Sequence, residues 1–239
     1  MTKTYSRRDF LKAMGMVATG AVAAGLVGCG GSGTQTAATT AAATDGYTTV
    51  TKGKLTMISN FYFPPFVSMN DKTGDFEGFD VDLYKAICKK LDLEPNILPS
   101  VQFDTIVPTI KQGGKADVSI GAITITDDRE SGTTGEAWAK ENLPKATVKP
   151  LDDIIQCLQG VASGLYDCSV CDLPVARYEI KIAYSSLDVA LEIPTGEQYG
   201  LVVSKDNPDL TKAINQALSD LESDGTIDKL EEKWFGEAL

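Results

Sequence analysis

Five cysteines, several paired acids and a complete absence of histidine define the chemistry open to this 239-residue chain. Without an imidazole there is no Ser/His/Asp or Cys/His triad, no histidine-ligated zinc and no histidine pH switch. Any catalysis falls to carboxylates, Lys, Tyr or Cys. Cys168 and Cys171 are spaced as Cys-x-x-Cys. On the strand expected there, residues three apart point to opposite faces, and the helix N-terminus that activates redox thiols is missing. Buried thiols are therefore expected for Cys88, Cys157, Cys168 and Cys171, with a Cys157–Cys168 bridge as the alternative in an oxidising compartment. The acids Asp80/Asp82, Asp127/Asp128 and Asp152/Asp153 open or precede helical stretches. That placement fits capping and solvation better than metal coordination, so neither a metal nor a cofactor is expected.

Charge excludes another class. The 22 Lys and Arg face 33 Asp and Glu, a net charge of −11, and phosphate binding is dominated by cations, so nucleic acid is not an expected partner. The few basic residues of the N-terminus are grouped. Ser6-Arg7-Arg8-Asp9-Phe10-Leu11-Lys12 precedes the uncharged residues 13–28, rich in Ala, Gly, Val and Met. This is a basic n-region and an apolar h-region. As a helix the apolar run reaches about 24 Å, short of the roughly 30 Å hydrocarbon core, which favours a signal over a permanent span. The order resembles a twin-arginine export signal, with the general secretory route as the alternative. Leu26-Val27-Gly28-Cys29 resembles a lipobox, in which Cys29 is lipidated after cleavage before it. The expected segments are thus a signal at 1–28 and a lipidated tether at 29–46, whose Gly, Ser, Thr and Ala cannot form a core.

The elements that must position any site lie in residues 47–239, where short apolar runs alternate with amphipathic stretches, an α/β pattern. Strands are expected at 54–59, 97–99, 116–122, 146–148, 168–171 and 199–204. Helices are expected at 80–91, 103–112, after Gly135, and at 152–158, 173–181, 208–223 and 226–235. The order implies two small α/β lobes with the chain returning to the first: lobe one at 47–129, lobe two at 130–198, and a return strand with C-terminal helices at 199–239.

A series of motifs runs through this region in order: Phe63-Pro64-Pro65-Phe66, Gly78-Phe79-Asp80-Val81-Asp82-Leu83, Ala116-Asp117, Thr124-Ile125-Thr126-Asp127-Asp128-Arg129, Gly132-Thr133-Thr134-Gly135, Asp172-Leu173-Pro174, Tyr199-Gly200-Leu201 and Lys233-Trp234-Phe235-Gly236. Together they resemble the extracytoplasmic amino-acid-binding proteins of ABC importers, the bacterial solute-binding family three. The resemblance implies a two-lobed periplasmic-binding-protein-like fold of type II. It implies a non-enzymatic, monomeric capture module, without cofactor, that closes on a free polar or small amino acid and delivers it to an ABC permease. Some proteins of this fold are extracytoplasmic dehydratases acting through carboxylates, which is the enzymatic alternative.

By this resemblance, the ligand carboxylate falls to Arg129 and to the amides of Thr124 and the turn through Thr133 and Thr134. The ligand ammonium falls to Asp172, the Thr124 hydroxyl and the Ala122 carbonyl, and Phe63 and Phe103 sandwich the ligand side chain. Asn60 stands where relatives that take cationic or amide side chains often carry Asp, which disfavours Lys or Arg as ligand. The same residues have plainer roles open to them: a surface ion pair for Arg129, a helix cap for Asp172, core packing for both Phe residues.

One departure affects the site. Between Arg129 and Gly132 stand two residues, Glu130 and Ser131, where relatives carry the outgoing hinge strand and the first strand of lobe two, roughly 40 residues on a domain-length prior. Such an internal deletion would leave lobe two and the hinge incomplete, pin the lobes together and run the chain through the pocket. Weak or absent amino-acid binding is the expectation, and a non-binding remnant or a sequence artefact is the alternative to a working importer component.

Overall fold

A computed structural model describes residues 46–125, 133–151 and 153–236, all within one compact unit. The signal, the lipobox and Cys29 lie outside the described residues, as do Arg129, Gly132 and the pair Asp127/Asp128.

The centre is strand β1 (Lys54–Ile58), buried from Leu55 onward. Such burial on both faces suits an inner parallel strand, and β1 indeed lies between two parallel neighbours. One is β5 (Glu94–Ile97), with Leu55 opposite Pro95. The other is β6 (Val118–Ser119). β7 (Val202–Val203) closes the sheet antiparallel to β6, giving the order β5-β1-β6-β7. The expected strand at 97–99 forms earlier because β5 is an edge, where Pro95 need not donate to a ladder. β6 is much shorter than the expected 116–122, because Gly121 (φ 152°) and Ala122 (φ 48°) bend the chain.

Helix α1 (Phe79–Lys90) packs Val81, Tyr84, Ile87 and Cys88 onto this sheet. Its first turn holds Asp80 and Asp82 and its last Lys89 and Lys90, matching the helix dipole. The buried Tyr84 hydroxyl donates to the Leu55 carbonyl and accepts from the Asn96 amide at 2.8 Å, which fastens α1 to β1 and β5. A 3-10 turn (Phe103–Thr105) leads into α2 (Ile106–Gln112). A second sheet of β2 (Tyr62–Phe63), β3 (Val67–Met69) and β4 (Phe76–Glu77) is antiparallel. Its strands are too short to leave a period in the sequence.

The C-terminal helices return as expected. α6 and α7 are Pro208–Ser223 and Thr226–Phe235, and Leu210, Ile214, Ala217 and Leu221 complete the main core. Asp82 fastens α7, its Oδ2 accepting from Lys233 Nζ at 2.6 Å and Trp234 Nε1 at 2.9 Å.

Lobe two departs from the sequence reading. Its described elements are three helices, α3 (Thr134–Asn142), α4 (Ile154–Ala162) and α5 (Leu173–Ile182); the strands expected at 146–148 and 168–171 do not form. A strand is stable only beside another that satisfies its backbone, and neither segment has one. Ile154, Leu158 and Val175 instead bury against Phe66 and Ala122 of lobe one, so one apolar cluster spans both parts. Cys168 is exposed, contrary to expectation, while Cys157 and Cys171 pack at the edge of that cluster and Cys88 in the main core; all four are free thiols. Asp153 caps α4 as expected, accepting from the Ile155 amide at 2.8 Å. Asp80 does not behave as a solvated cap. It is buried, and its Oδ2 accepts from the Ala122 amide at 2.8 Å.

Candidate functional site

Two chain segments cross side by side between the parts of the molecule. Residues 123–125 leave β6 and residues 198–200 lead back to β7. They pair through Ile125 N to Gln198 O at 2.8 Å and Gly200 N to Ile123 O at 2.9 Å, with Thr124 and Tyr199 bridged antiparallel. This places Thr124 directly beside Tyr199 where the two segments cross.

The Thr134 hydroxyl comes from the first turn of α3. Gly135 lets that turn approach closely, since a Cβ there would stand 2.8 Å from the Val170 carbonyl oxygen. The start of α3 therefore lies against the residues just before Asp172. Thr124 Oγ1 and Thr134 Oγ1 each donate to the same Glu197 oxygen, both at 3.2 Å. Asp172 stands at the N-cap of α5 without capping it through its side chain; its Oδ2 accepts instead from the Tyr199 hydroxyl at 2.9 Å. Burial, followed by the neighbouring Asp172 carboxylate, raises the Tyr199 phenol above its ordinary range, so it remains the proton donor. The Tyr199 ring lies edge-on to Phe66, 5.3 Å between centroids.

Beneath this, Ala122 is held in the left-handed region by the Asp80 contact. Burial lifts the Asp80 carboxyl to about 7, against the opposing pull of the Ala122 amide.

Of the sequence-identified residues, Thr124, Thr134 and Asp172 are thus gathered around residues 197–199. Thr133 caps α3, its hydroxyl accepting from the Glu136 amide at 3.1 Å. Asn60 is buried and donates to the Val101 carbonyl at 3.0 Å. Phe63 packs on Phe66, 6.2 Å between centroids, beside an aromatic group that includes Phe79, Tyr199 and Phe235. Phe103, half-buried, opens the 3-10 turn and belongs to none of the aromatic pairs among the described residues. Glu197 was missed by sequence reasoning, although an acid two residues before the return strand was its signal. Tyr199 was part of a motif but had no assigned role.

In these contacts hydroxyl donors meet an anion at one end and a carboxylate meets a proton donor at the other, the pairing a zwitterion would require in their place.

Residues 55–237 match the family model described as bacterial extracellular solute-binding proteins, family 3. The chain is 26% identical to the L-cystine-binding protein TcyJ of Escherichia coli (strain K12), with 73% of this chain and 79% of that protein covered. That match extends over 214 residues, more than 73% of a 239-residue chain supplies, so the relative carries residues within the matched stretch that this chain lacks. Among solved structures, an ancestral arginine-binding protein bound to glutamine is 32% identical with a TM-score of 0.71, covering 78% of this chain and 100% of that one. The ancestral amino acid-binding protein AncCDT-1, a precursor of cyclohexadienyl dehydratase, is 30% identical with a TM-score of 0.68, covering 77% of this chain and 95% of that one.

Proposed function

This chain belongs to the bacterial extracellular solute-binding proteins of family 3, and on that premise we propose that it captures a polar or small amino acid and delivers it to an ABC permease. The observation that carries this reading is the convergence of Thr124, Thr134 and Asp172, drawn from both parts of the chain, on one site with an anion end and a cation end. Arg129 supplies the bidentate partner of the ligand carboxylate. Asp172 takes the ammonium, and Phe63 and Phe103 flank the side chain. The Asn60 amide is neutral and turned to a backbone carbonyl, which supports an uncharged ligand side chain. The protein acts as a monomer and performs no chemistry on its ligand, in keeping with relatives named as binding proteins.

Capture is weak in this chain. The described residues of lobe two form three helices and no strand, so the wall this part presents to a ligand is incomplete, and only two residues separate Arg129 from Gly132.

The sequence of residues 1–29 supports export and anchoring: a twin-arginine-like signal is removed, and Cys29 carries the lipid that holds the protein at the outer face of the membrane.

Isothermal titration of the detergent-solubilised full chain against the twenty amino acids and cystine tests the central reading. Saturable heat with at least one uncharged amino acid is expected; silence with every one of them would overturn it.

A further inference from the structure

We propose that Glu197 is an internal occupant of the carboxylate end of the site, so that the chain competes with its own ligand and Glu197 sets the apparent affinity. The inference rests on the amino-acid-capture reading above.

A free amino acid presents a carboxylate and an ammonium a few bonds apart. Residues 197–199 offer the chain's own counterparts of both. At one end the Glu197 carboxylate receives two hydroxyl protons on a single oxygen, from Thr124 and from Thr134. Thr124 belongs to the crossing segment itself, whereas Thr134 opens α3, where the helix dipole also favours an anion. At the other end the Tyr199 hydroxyl supplies Asp172 with a proton donor at 2.9 Å, the kind of partner an ammonium would be. The two substitutes are fixed relative to one another by backbone pairing of residues 198–200 with 123–125.

A ligand carboxylate approaching Thr124 and Thr134 meets a like charge and two hydroxyls whose single protons are already committed. Glu197 must leave first. It can do so, because it is exposed and its carboxylate can turn into water. The apparent affinity is then the intrinsic affinity reduced by the fraction of molecules in which Glu197 is out.

The test is titration of the full chain, wild type against Glu197→Ala and Glu197→Gln, with the uncharged amino acids that bind the wild type and, in parallel, with all twenty. With two hydroxyl contacts in competition, Glu197→Ala is expected to bind about three- to tenfold more tightly. Glu197→Gln, which keeps an acceptor oxygen without the charge, falls between it and wild type. Urea-unfolding midpoints of the three proteins establish that each is folded. If wild type binds and Glu197→Ala binds equally well or more weakly, Glu197 is a bystander or a direct ligand contact, and this inference fails while the capture reading stands. If neither wild type nor either variant binds any amino acid, both fail together.

Discussion

The Tyr199 hydroxyl donates to Asp172 across 2.9 Å, tying the return segment to the start of α5. The ring itself rests on Phe66, so Tyr199→Phe removes the bond and leaves the packing. A loss of about 1 kcal/mol in unfolding free energy is expected, the ordinary worth of one such bond. Urea unfolding followed by tryptophan fluorescence measures it, and an unchanged midpoint would mean that water replaces the tyrosine at no cost.

Asp80 gives the fold a defined pH response. Its carboxyl is raised from 3.8 to about 7 by burial, so folding favours the protonated form. The stability associated with that proton is complete below pH 4, declines as pH rises toward 7, and is gone above it, a change on the order of 4 kcal/mol. Asp80→Asn, neutral throughout, should lack this decline. Unfolding free energies of the two proteins between pH 4 and 8 should diverge progressively with rising pH; parallel curves would refute the assignment.

Gly78 precedes α1 with φ 134°, and a Cβ there would stand 2.1 Å from the Phe66 carbonyl oxygen. That same oxygen accepts from the Asp80 amide at 2.9 Å. Gly78→Ala must displace the backbone that anchors both Asp80 and the Phe66 loop, at a cost of more than about 2 kcal/mol. Thermal unfolding should show a lowered Tm, and a variant as stable as wild type would show that the α1 entry can relax freely.

The thiols should separate by rate. Cys168 is exposed, whereas burial pushes Cys88 to about 11 and Cys171 to about 12 and also raises Cys157. Thiolate is the reactive form, so a Cys29→Ala protein treated with an aromatic disulfide reagent at pH 8 should give one fast phase, abolished by adding Cys168→Ser. Several fast phases would show that the second apolar cluster opens readily.

The lipid anchor proposed above rests on Cys29 alone. Cys29→Ala should abolish incorporation of labelled palmitate in a bacterial host and release the protein from the membrane fraction. Continued labelling of the variant would place the anchor elsewhere.

Much of the architecture was legible in the residues. The stripe of Val81, Tyr84, Ile87 and Cys88, the start of α6 at Pro208, and the buried run of β1 each follow from local periodicity and local sequence signals, which depend on near neighbours alone. The ordered motifs singled out Thr124, Thr134 and Asp172 for the same reason, since they are local signatures, and the structure gathers the three around residues 197–199. What tertiary structure decided were the relations between distant segments. The stretches at 146–148 and 168–171 have strand-like composition, yet a strand exists only with a partner, and whether one is present is a property of the whole fold. Pro95 could join a strand because β5 turned out to be an edge. Asp80, an unremarkable first-turn acid in sequence, became a buried carboxyl because Ala122 folds back over it. Glu197 reaches Thr124 and Thr134 only through the crossing of residues 123–125 with 198–200, a pairing between segments more than seventy positions apart that no local pattern encodes.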